Sequence, residues 1–266
     1  MISIHPVLLA LLAGLFTWFT TLVGASGVFF FKNPTRKLND TMLGFAAGVM
    51  LAASYFSLLG PAVEFAENQG DTPWMHVVPG FLAGGLTLWI IDRLIPHLHA
   101  GLSEEFSEGP KTKLPKSSLL LLAITIHNIP EGLAVGVALG ALGSTFSHEA
   151  LLSALAVAIG IGIQNIPEGF AVSSPLRMAG LSPKRAFFWG QLSGIVEPVA
   201  AVLGALAVGF FSSALPFALS FAAGAMIFVV VEELIPQSQC EGNSDNATLG
   251  VLAGFALMML LDVAFG

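Results

Sequence analysis

Long stretches of apolar residues dominate the chain, and short polar segments separate them. A helix needs about 20 apolar residues to cross the hydrocarbon core of a membrane, and these stretches have that length. They are continuously apolar rather than alternating, which excludes the strands of a membrane β-barrel. The pattern predicts eight membrane-spanning helices, at Pro6–Phe31, Thr41–Leu59, Trp74–Ile95, Ser118–Leu142, Leu151–Ser173, Ala186–Phe211, Ala214–Ile235 and Thr248–Phe265.

We interpret residues 1–266 as a single transmembrane domain. Spans 1–3 occupy 6–95, spans 4–5 occupy 118–173, and spans 6–8 occupy 186–265, with a cytoplasmic loop at 96–117. The first apolar stretch does not resemble a signal peptide, because no basic residue precedes it. It is also longer than the roughly 7–15 apolar residues of such a peptide.

The composition agrees with a protein embedded in a lipid bilayer. Hydrophobic residues make up 55% of the chain and charged residues 10%, whereas a soluble domain carries about 25% charged residues. With 10 basic and 17 acidic residues the net charge is −7, so no basic surface for nucleic acid is expected. The single cysteine, Cys240, excludes a disulfide framework and a cysteine-rich metal site.

The basic residues predict the orientation of the chain. All ten lie on one side of the predicted membrane, at Lys32, Arg36, Lys37, Arg93, Lys111, Lys113, Lys116, Arg177, Lys184 and Arg185. The positive-inside rule makes that side cytoplasmic. We therefore expect a multi-pass protein of the inner cell membrane with both termini outside. The connection between spans 7 and 8 lies on the same side but carries Glu241 and Asp245 instead.

Segments of the chain occur twice in the same order, and the two copies cross the predicted membrane in opposite directions. Phe45–Met50 (FAAGVM) in span 2 matches Phe221–Met226 (FAAGAM) in span 7, and shorter matches relate spans 1 and 3 to spans 6 and 8. In the middle, His127–Gly132 (HNIPEG) of span 4 matches Gln164–Gly169 (QNIPEG) of span 5. Since each pair runs in opposite directions, we predict a 3+2+3 inverted repeat. This arrangement is common in secondary transporters, which bind substrate between the repeats.

Three glutamates lie where a charge is costly. Glu131, Glu168 and Glu197 sit well inside spans 4, 5 and 6, and an ionised carboxylate at a helix centre costs roughly 3 kcal/mol on insertion scales. No Lys or Arg lies at that depth, so these groups are either protonated or hold a cation. The spacing favours a cation, because His127 shares a helix face with Glu131 and Gln164 repeats that spacing with Glu168.

Further donors lie beside these carboxylates. Asn128 and Asn165 precede the two glutamates by three residues, and Met50 offers a thioether. Pro130 and Pro167 each lack the N–H that a helix uses, which leaves a backbone carbonyl without its usual partner. One imidazole among carboxylates suits a borderline first-row divalent cation, whereas oxygen ligands alone would suit magnesium or manganese better.

Polar residues near the ends of the spans are candidates for an ion pathway, because an acidic entrance attracts cations. The alternative is that they are solvated helix ends and loops. The candidates for the cytoplasmic exit are Asp92, His97, His99, Glu232 and Glu233. The candidates for the outer entrance are Glu64 and Asp262. Glu64 belongs to a predicted acidic loop that also contains Glu67 and Asp71.

The paired HNIPEG and QNIPEG motifs, with Glu197-Pro198 in span 6, resemble the ZIP (Zrt/Irt-like) family of divalent metal transporters. The pattern is most similar to the prokaryotic GufA-like branch. The resemblance implies uptake of zinc into the cytoplasm through a binuclear site, no resident cofactor and a homodimer. Cadmium, iron and manganese are the other ions that such a site would take.

The resemblance also implies the ligands, carried over by motif, with Glu131 and Glu168 bridging two metal positions. The first metal would take Met50, His127, Glu131, Gln164 and Glu168. The second would take Asn128, Glu131, Asn165, Glu168 and Glu197.

Two other functions fit parts of the sequence. An intramembrane zinc protease would need two histidines at i,i+4 around a glutamate base, and span 4 offers one histidine while span 5 offers none. A transporter of another divalent cation, or of a proton-coupled solute, would share the architecture. The chain has no Gly-rich motif ending in Lys-Ser or Lys-Thr, so ATP-driven transport is not expected.

Overall fold

The computed structural model describes residues 5–31, 35–98, 109–114, 116–143, 146–178, 180–210, 214–239 and 242–265. Within these ranges every regular element is helical. In the described part of the chain, eight helices are long and apolar enough to span a membrane. The prediction of an all-α polytopic membrane protein is thus confirmed.

We number the spanning helices α1 to α8 in chain order, and several of them contain a short segment of a different helix type. In the first half, α1 is Pro6–Ala25 with the 3₁₀ turn Ser26–Phe29. Helix α2 is Arg36–Ala52, continued by the π-helix Ala53–Leu59 and by Gly60–Asn68. Helix α3 is Trp74–Leu94, and α4 is Lys116–Gly140 with the 3₁₀ turn Ala141–Gly143. In the second half, α5 is His148–Met178 and α8 is Ser244–Phe265. Helix α6 consists of Pro183–Leu192, the 3₁₀ turn Ser193–Ile195 and Val196–Phe210. Helix α7 consists of Leu215–Val229, the π-helix Val230–Leu234 and Ile235–Gln239.

Helix α2 is longer than the sequence predicts at both ends. It begins early because the Thr35 hydroxyl accepts a hydrogen bond from the Leu38 backbone N–H and caps the first turn. It ends late because the π-helical segment lies just ahead of Pro61, and the chain continues as a helix beyond that proline. The prediction that Glu64 and Glu67 lie in a loop is therefore wrong, since both lie on the last turns of α2.

Glycines allow two pairs of parallel helices, α2 with α8 and α3 with α7, to touch backbone to backbone. A Cβ atom on Gly48 of α2 would lie 2.0 Å from the carbonyl oxygen of Val251 in α8. A Cβ atom on Gly224 of α7 would lie 1.9 Å from the carbonyl oxygen of Phe81 in α3. Small residues at such contacts are a general device of membrane helices, because they let dispersion forces act over a long backbone contact.

The other four helices pair in the same way. Gly24 of α1 faces the Ile166 carbonyl of α5, and Gly136 of α4 faces the Ala201 carbonyl of α6. Helix α1 also packs along α6. The molecule therefore consists of one group formed by α2, α3, α7 and α8 and a second group formed by α1, α4, α5 and α6. The two groups meet mainly where α2 contacts α5 and where α4 contacts α7.

The two π-helical segments occupy matching positions in the repeated sequence. One follows Phe45–Met50 in α2, and the other follows the matching Phe221–Met226 in α7. The helix pairs also correspond, since exchanging the two copies turns the α2–α8 pair into the α7–α3 pair. The 3+2+3 division stays a prediction. Such a repeat would place a π-helical segment at the same point of both copies and would form corresponding helix pairs.

A buried carboxylate fastens α2 to the start of α8 at the end of the molecule that carries the basic residues. Asp40 is fully buried, and its Oδ1 lies 3.0 Å from Nε of Arg36. Its Oδ2 accepts a hydrogen bond of 2.9 Å from the Asn243 side-chain amide. Half of the predicted loop 96–117 lies outside the described residues, as do Lys32, His99 and Glu241.

Candidate metal site

The two hexapeptide motifs lie side by side in the middle of α4 and α5. Each helix runs through its proline, Pro130 or Pro167. Helix α6 contributes Glu197 to the same place, but this helix is interrupted. Its 3₁₀ turn Ser193–Ile195 ends just before Glu197, which lies in the first turn of the next helical segment. The structure thus brings together the side chains that the sequence predicts from three separate helices.

Glu131 and Glu168 form the centre of this cluster. The Gln164 side chain donates from Nε2 to Oε1 of Glu131 at 2.7 Å, and the carboxyl groups of Glu131 and Glu168 contact each other. Glu197 and Glu233 lie close enough to interact electrostatically with this pair. Four carboxyl groups are therefore concentrated in one buried place, where their mutual repulsion is weakly screened.

Glu197 anchors the side of the cluster that faces α1. The Asn165 side chain donates to Oε2 of Glu197 at 2.8 Å, and the Asn128 side chain donates to Oε1 at 3.3 Å. The Thr21 hydroxyl of α1 donates to the same Oε1 at 3.2 Å. Glu197 itself is fully buried.

The cluster holds several buried acceptor atoms that receive no hydrogen bond. These oxygens are Oδ1 of Asn128 and Asn165, Oε1 of Gln164 and Glu168, and Oε2 of Glu131. A buried polar atom without a partner costs about 1–3 kcal/mol, so native proteins rarely concentrate them without a reason. Oxygen atoms that lack a donor and lie among carboxylates form a suitable environment for a cation.

The amide oxygens are essential to this interpretation. In the part of the chain that the structure describes, no group of three or more His, Cys, Asp and Glu side chains has the arrangement of a metal site on its own. A complete ligand shell here therefore needs Gln164, Asn128 or Asn165 in addition to the carboxylates and the imidazole.

Glu233 belongs to the cluster, although the sequence analysis places it at the cytoplasmic exit. Its Oε2 contacts Nε2 of His127, and its side chain is almost completely buried. Glu233 lies in the π-helical segment of α7, where the wider turn changes the direction of side chains relative to an α-helix. Helical spacing alone therefore could not predict this contact, and Glu232, the neighbouring residue, is exposed.

A small cavity adjoins the cluster. Its volume is about 40 Å³, and its polar lining consists of His127, Asn128, Glu131, Glu168, Glu233 and Gln237. A single water molecule needs roughly 10–15 Å³ by this measure, so the cavity has room for an ion with only a few waters. From the cluster it extends past Leu43, Pro175 and Gln237, toward the end of the molecule that carries the basic residues.

A second cavity lies toward the opposite end. It has a volume of about 280 Å³, and its lining includes Ser57, Glu64 and Glu149. Among the described residues the two cavities share no lining side chain. Val135 of α4 and Ile161 of α5 lie along their helices between the residues that line the two cavities, and both are fully buried.

The remaining predicted residues do not line the small cavity. Met50 is fully buried but does not line the small cavity. Asp92 and His97 form a buried pair, with 2.9 Å between Oδ1 and Nε2. Asp262 accepts a hydrogen bond of 2.7 Å from Ser57.

The chain is similar to several zinc transporters. A sequence model of the family described as "ZIP Zinc transporter" matches residues 114–262. The chain is 42% identical to the zinc transporter ZIP11 of Homo sapiens, with 97% of each chain covered. It is 41% identical to the zinc transporter GufA of Myxococcus xanthus, covering 96% of this chain and 98% of that one. It is 38% identical to the zinc transporter ZIPB of Bordetella bronchiseptica, covering 97% and 81%.

Proposed function

This chain belongs to the ZIP zinc transporter family, and on that premise we propose that it imports zinc into the cytoplasm through a site with two metal positions. The resemblance predicted from the paired motifs is confirmed, and metal transport replaces the metalloenzyme alternative, because the relatives are named as transporters. The observation that carries the proposal is the set of unpartnered buried oxygens around Glu131 and Glu168.

The chemistry of the donor set suits zinc. His127 supplies an imidazole nitrogen, and the neighbouring carboxylates supply hard oxygens, a mixture that borderline divalent ions accept. Amide oxygens such as that of Gln164 are weaker ligands than a second imidazole or a thiolate. A transport site needs this weakness, because an ion that is bound too tightly does not leave.

Charge supports two metal positions rather than one. The carboxyl groups of Glu131, Glu168, Glu197 and Glu233 lie within electrostatic reach of their neighbours in the cluster. Two divalent cations would balance four carboxylates, whereas a single ion would leave a buried excess of negative charge. In our proposal Glu131 and Glu168 bridge the two ions.

The other ligands divide between the two positions as the motifs suggest. The first position takes His127, Gln164 and Met50, and the second takes Asn128, Asn165 and Glu197. Contact with His127 adds Glu233 to the side of the first position.

The cavities support a direction of transport. Ions would enter the second cavity past Glu64 and Glu149 and would leave the cluster past Leu43, Pro175 and Gln237. The basic end of the molecule then faces the cytoplasm, as the positive-inside rule predicts, and both termini lie outside. We propose that the protein works in the inner membrane as a homodimer.

Purified protein in liposomes is expected to take up radiolabelled zinc in a saturable manner, because a finite number of sites must bind each ion. Cadmium, manganese and iron(II), each added in excess, would report the preference of the site through their competition with zinc. Liposomes without protein are the control. Uptake no faster than in that control, or uptake of a different cation with no competition by zinc, would contradict the proposed function.

The single native cysteine allows a test of orientation. Cys240 lies in the sequence between the end of α7 and the start of α8. In intact cells without an outer membrane, a membrane-impermeant maleimide is expected to leave Cys240 unmodified until the membrane is permeabilised. A Gln69→Cys variant in a Cys240→Ser background is the matched control and is expected to react at once. The opposite pattern would reverse the proposed direction.

A further inference from the structure

Helix α1 contacts the metal site through the side chain of Thr21, although the sequence patterns predict no part for this helix in the site. Thr17, Thr20 and Thr21 are all buried within an otherwise apolar helix. The Thr21 hydroxyl lies 3.2 Å from Oε1 of Glu197 and 3.2 Å from the Thr17 carbonyl oxygen. That carbonyl oxygen also accepts a hydrogen bond of 3.1 Å from the side chain of Asn165.

The pocket around the Glu197 carboxylate is tight. A Cβ atom on Gly194 would lie 2.9 Å from Oε1 of Glu197 and 3.0 Å from the hydroxyl oxygen of Thr21. Gly14 of α1 lies close to Pro198, the residue after Glu197. A Cβ atom on Gly14 would lie 2.7 Å from Cα of Pro198. The position of Glu197 is therefore set by α1 as well as by its own helix.

The position of Glu197 decides how two metal-facing amides are oriented. A side-chain amide has one donor end and one acceptor end, and its partners determine which way it turns. The amide nitrogens of Asn128 and Asn165 both donate to Glu197. Their oxygens are consequently the atoms left without partners, and both are buried.

We propose that Thr21 is a positioning residue of the second metal position: its hydroxyl fixes the Glu197 carboxylate, which turns the oxygens of Asn128 and Asn165 toward the ion. This inference rests on the proposed function, since it assigns a role within that site. Without the hydroxyl, Glu197 loses a donor and gains freedom to turn, and the amides lose their fixed orientation. Partners of metal ligands typically change metal affinity by about 10–100-fold when they are removed.

The test replaces Thr21 with valine, which has a similar shape but no hydroxyl. Zinc chloride is titrated into the full-length protein in lipid nanodiscs, and the heat of each binding event is measured. Thr21→Val is expected to retain one zinc-binding event and to weaken the other by at least about tenfold. Thr21→Ser, which keeps the hydroxyl, is expected to restore both events.

Thr20→Val is the matched control. Thr20 is a buried threonine one residue away, and its hydroxyl donates to the Thr17 carbonyl at 2.7 Å rather than to Glu197. It is expected to bind zinc like the wild type. The inference is overturned if Thr21→Val keeps both events unchanged, or if Thr21→Ser or Thr20→Val loses the same event. A wild-type protein that neither binds nor transports zinc would instead overturn the proposed function, and the inference with it.

Discussion

Zinc uptake is expected to fall by at least about 100-fold when Glu131 is replaced by glutamine. Removing a partner of a metal ligand costs about 10–100-fold in affinity or activity, and a bridging ligand should cost no less. Glutamine keeps the size of the side chain but removes one negative charge from the buried cluster. Its amide group would also direct an N–H₂ either toward the Gln164 amide nitrogen, which now donates to Glu131, or toward the ion.

The measurement is the initial rate of radiolabelled zinc uptake, divided by the amount of protein in the membrane. Glu67→Gln makes the same chemical change on an exposed residue of α2 and is expected to alter uptake by less than about twofold. A Glu131→Gln protein that inserts normally and transports zinc at the wild-type rate would show that this carboxylate is not a ligand.

The helix pair α3–α7 is expected to be strongly destabilised when Gly224 is replaced by alanine. The new methyl group would lie 1.9 Å from the Phe81 carbonyl oxygen and 2.7 Å from its carbon. Since the obstacle is backbone, no side chain can turn away, and the two helices must separate. Overpacking costs about 1–3 kcal/mol and occasionally more, and we expect about 2 kcal/mol or more here.

Thermal unfolding in detergent measures this effect, with an expected fall in midpoint of roughly 4–8 °C. Gly209→Ala is the matched control, because a Cβ atom on this helical glycine of α6 would meet nothing within 4 Å. That change is expected to leave stability equal or slightly higher, since alanine favours a helix more than glycine does. Equal midpoints for the two variants would mean that α3 and α7 are not packed backbone to backbone.

The sequence predicts the spanning helices and the centre of the candidate site well, for a physical reason. A run of apolar residues long enough to cross a membrane has few alternatives to a helix, because lipid leaves the backbone no other hydrogen-bond partners. Within a helix, residues four apart share a face, so the pattern predicts His127 beside Glu131 and Gln164 beside Glu168. His127 and Glu131 line one cavity, and the Gln164 side chain donates to Glu131 of the other helix. The repeat of the motif then indicates that the two helices face each other.

Contacts between distant helices are harder to predict. The contribution of Thr21 depends on how α1 packs against α6, which no local pattern determines. A usable signal was present, since Thr17, Thr20 and Thr21 share one face of an otherwise apolar span. The contact of Glu233 with His127 depends on a π-helical segment. The sequence shows that position 233 carries a carboxyl group, but it does not show the direction in which the π-helical turn points that side chain.

The separation of the two cavities has a consequence for the kinetics of transport. In the proposed site, an ion held by Glu131 and Glu168 would lie beside the cavity that extends toward the basic end, whereas fully buried residues such as Val135 and Ile161 lie on the other side of the cluster along α4 and α5. Among the described residues the cavity beside the cluster and the cavity toward the opposite end share no lining side chain. In the proposed transport, each zinc ion would await a rearrangement of the packed helices, and turnover is expected to depend steeply on temperature, unlike diffusion through an open pore.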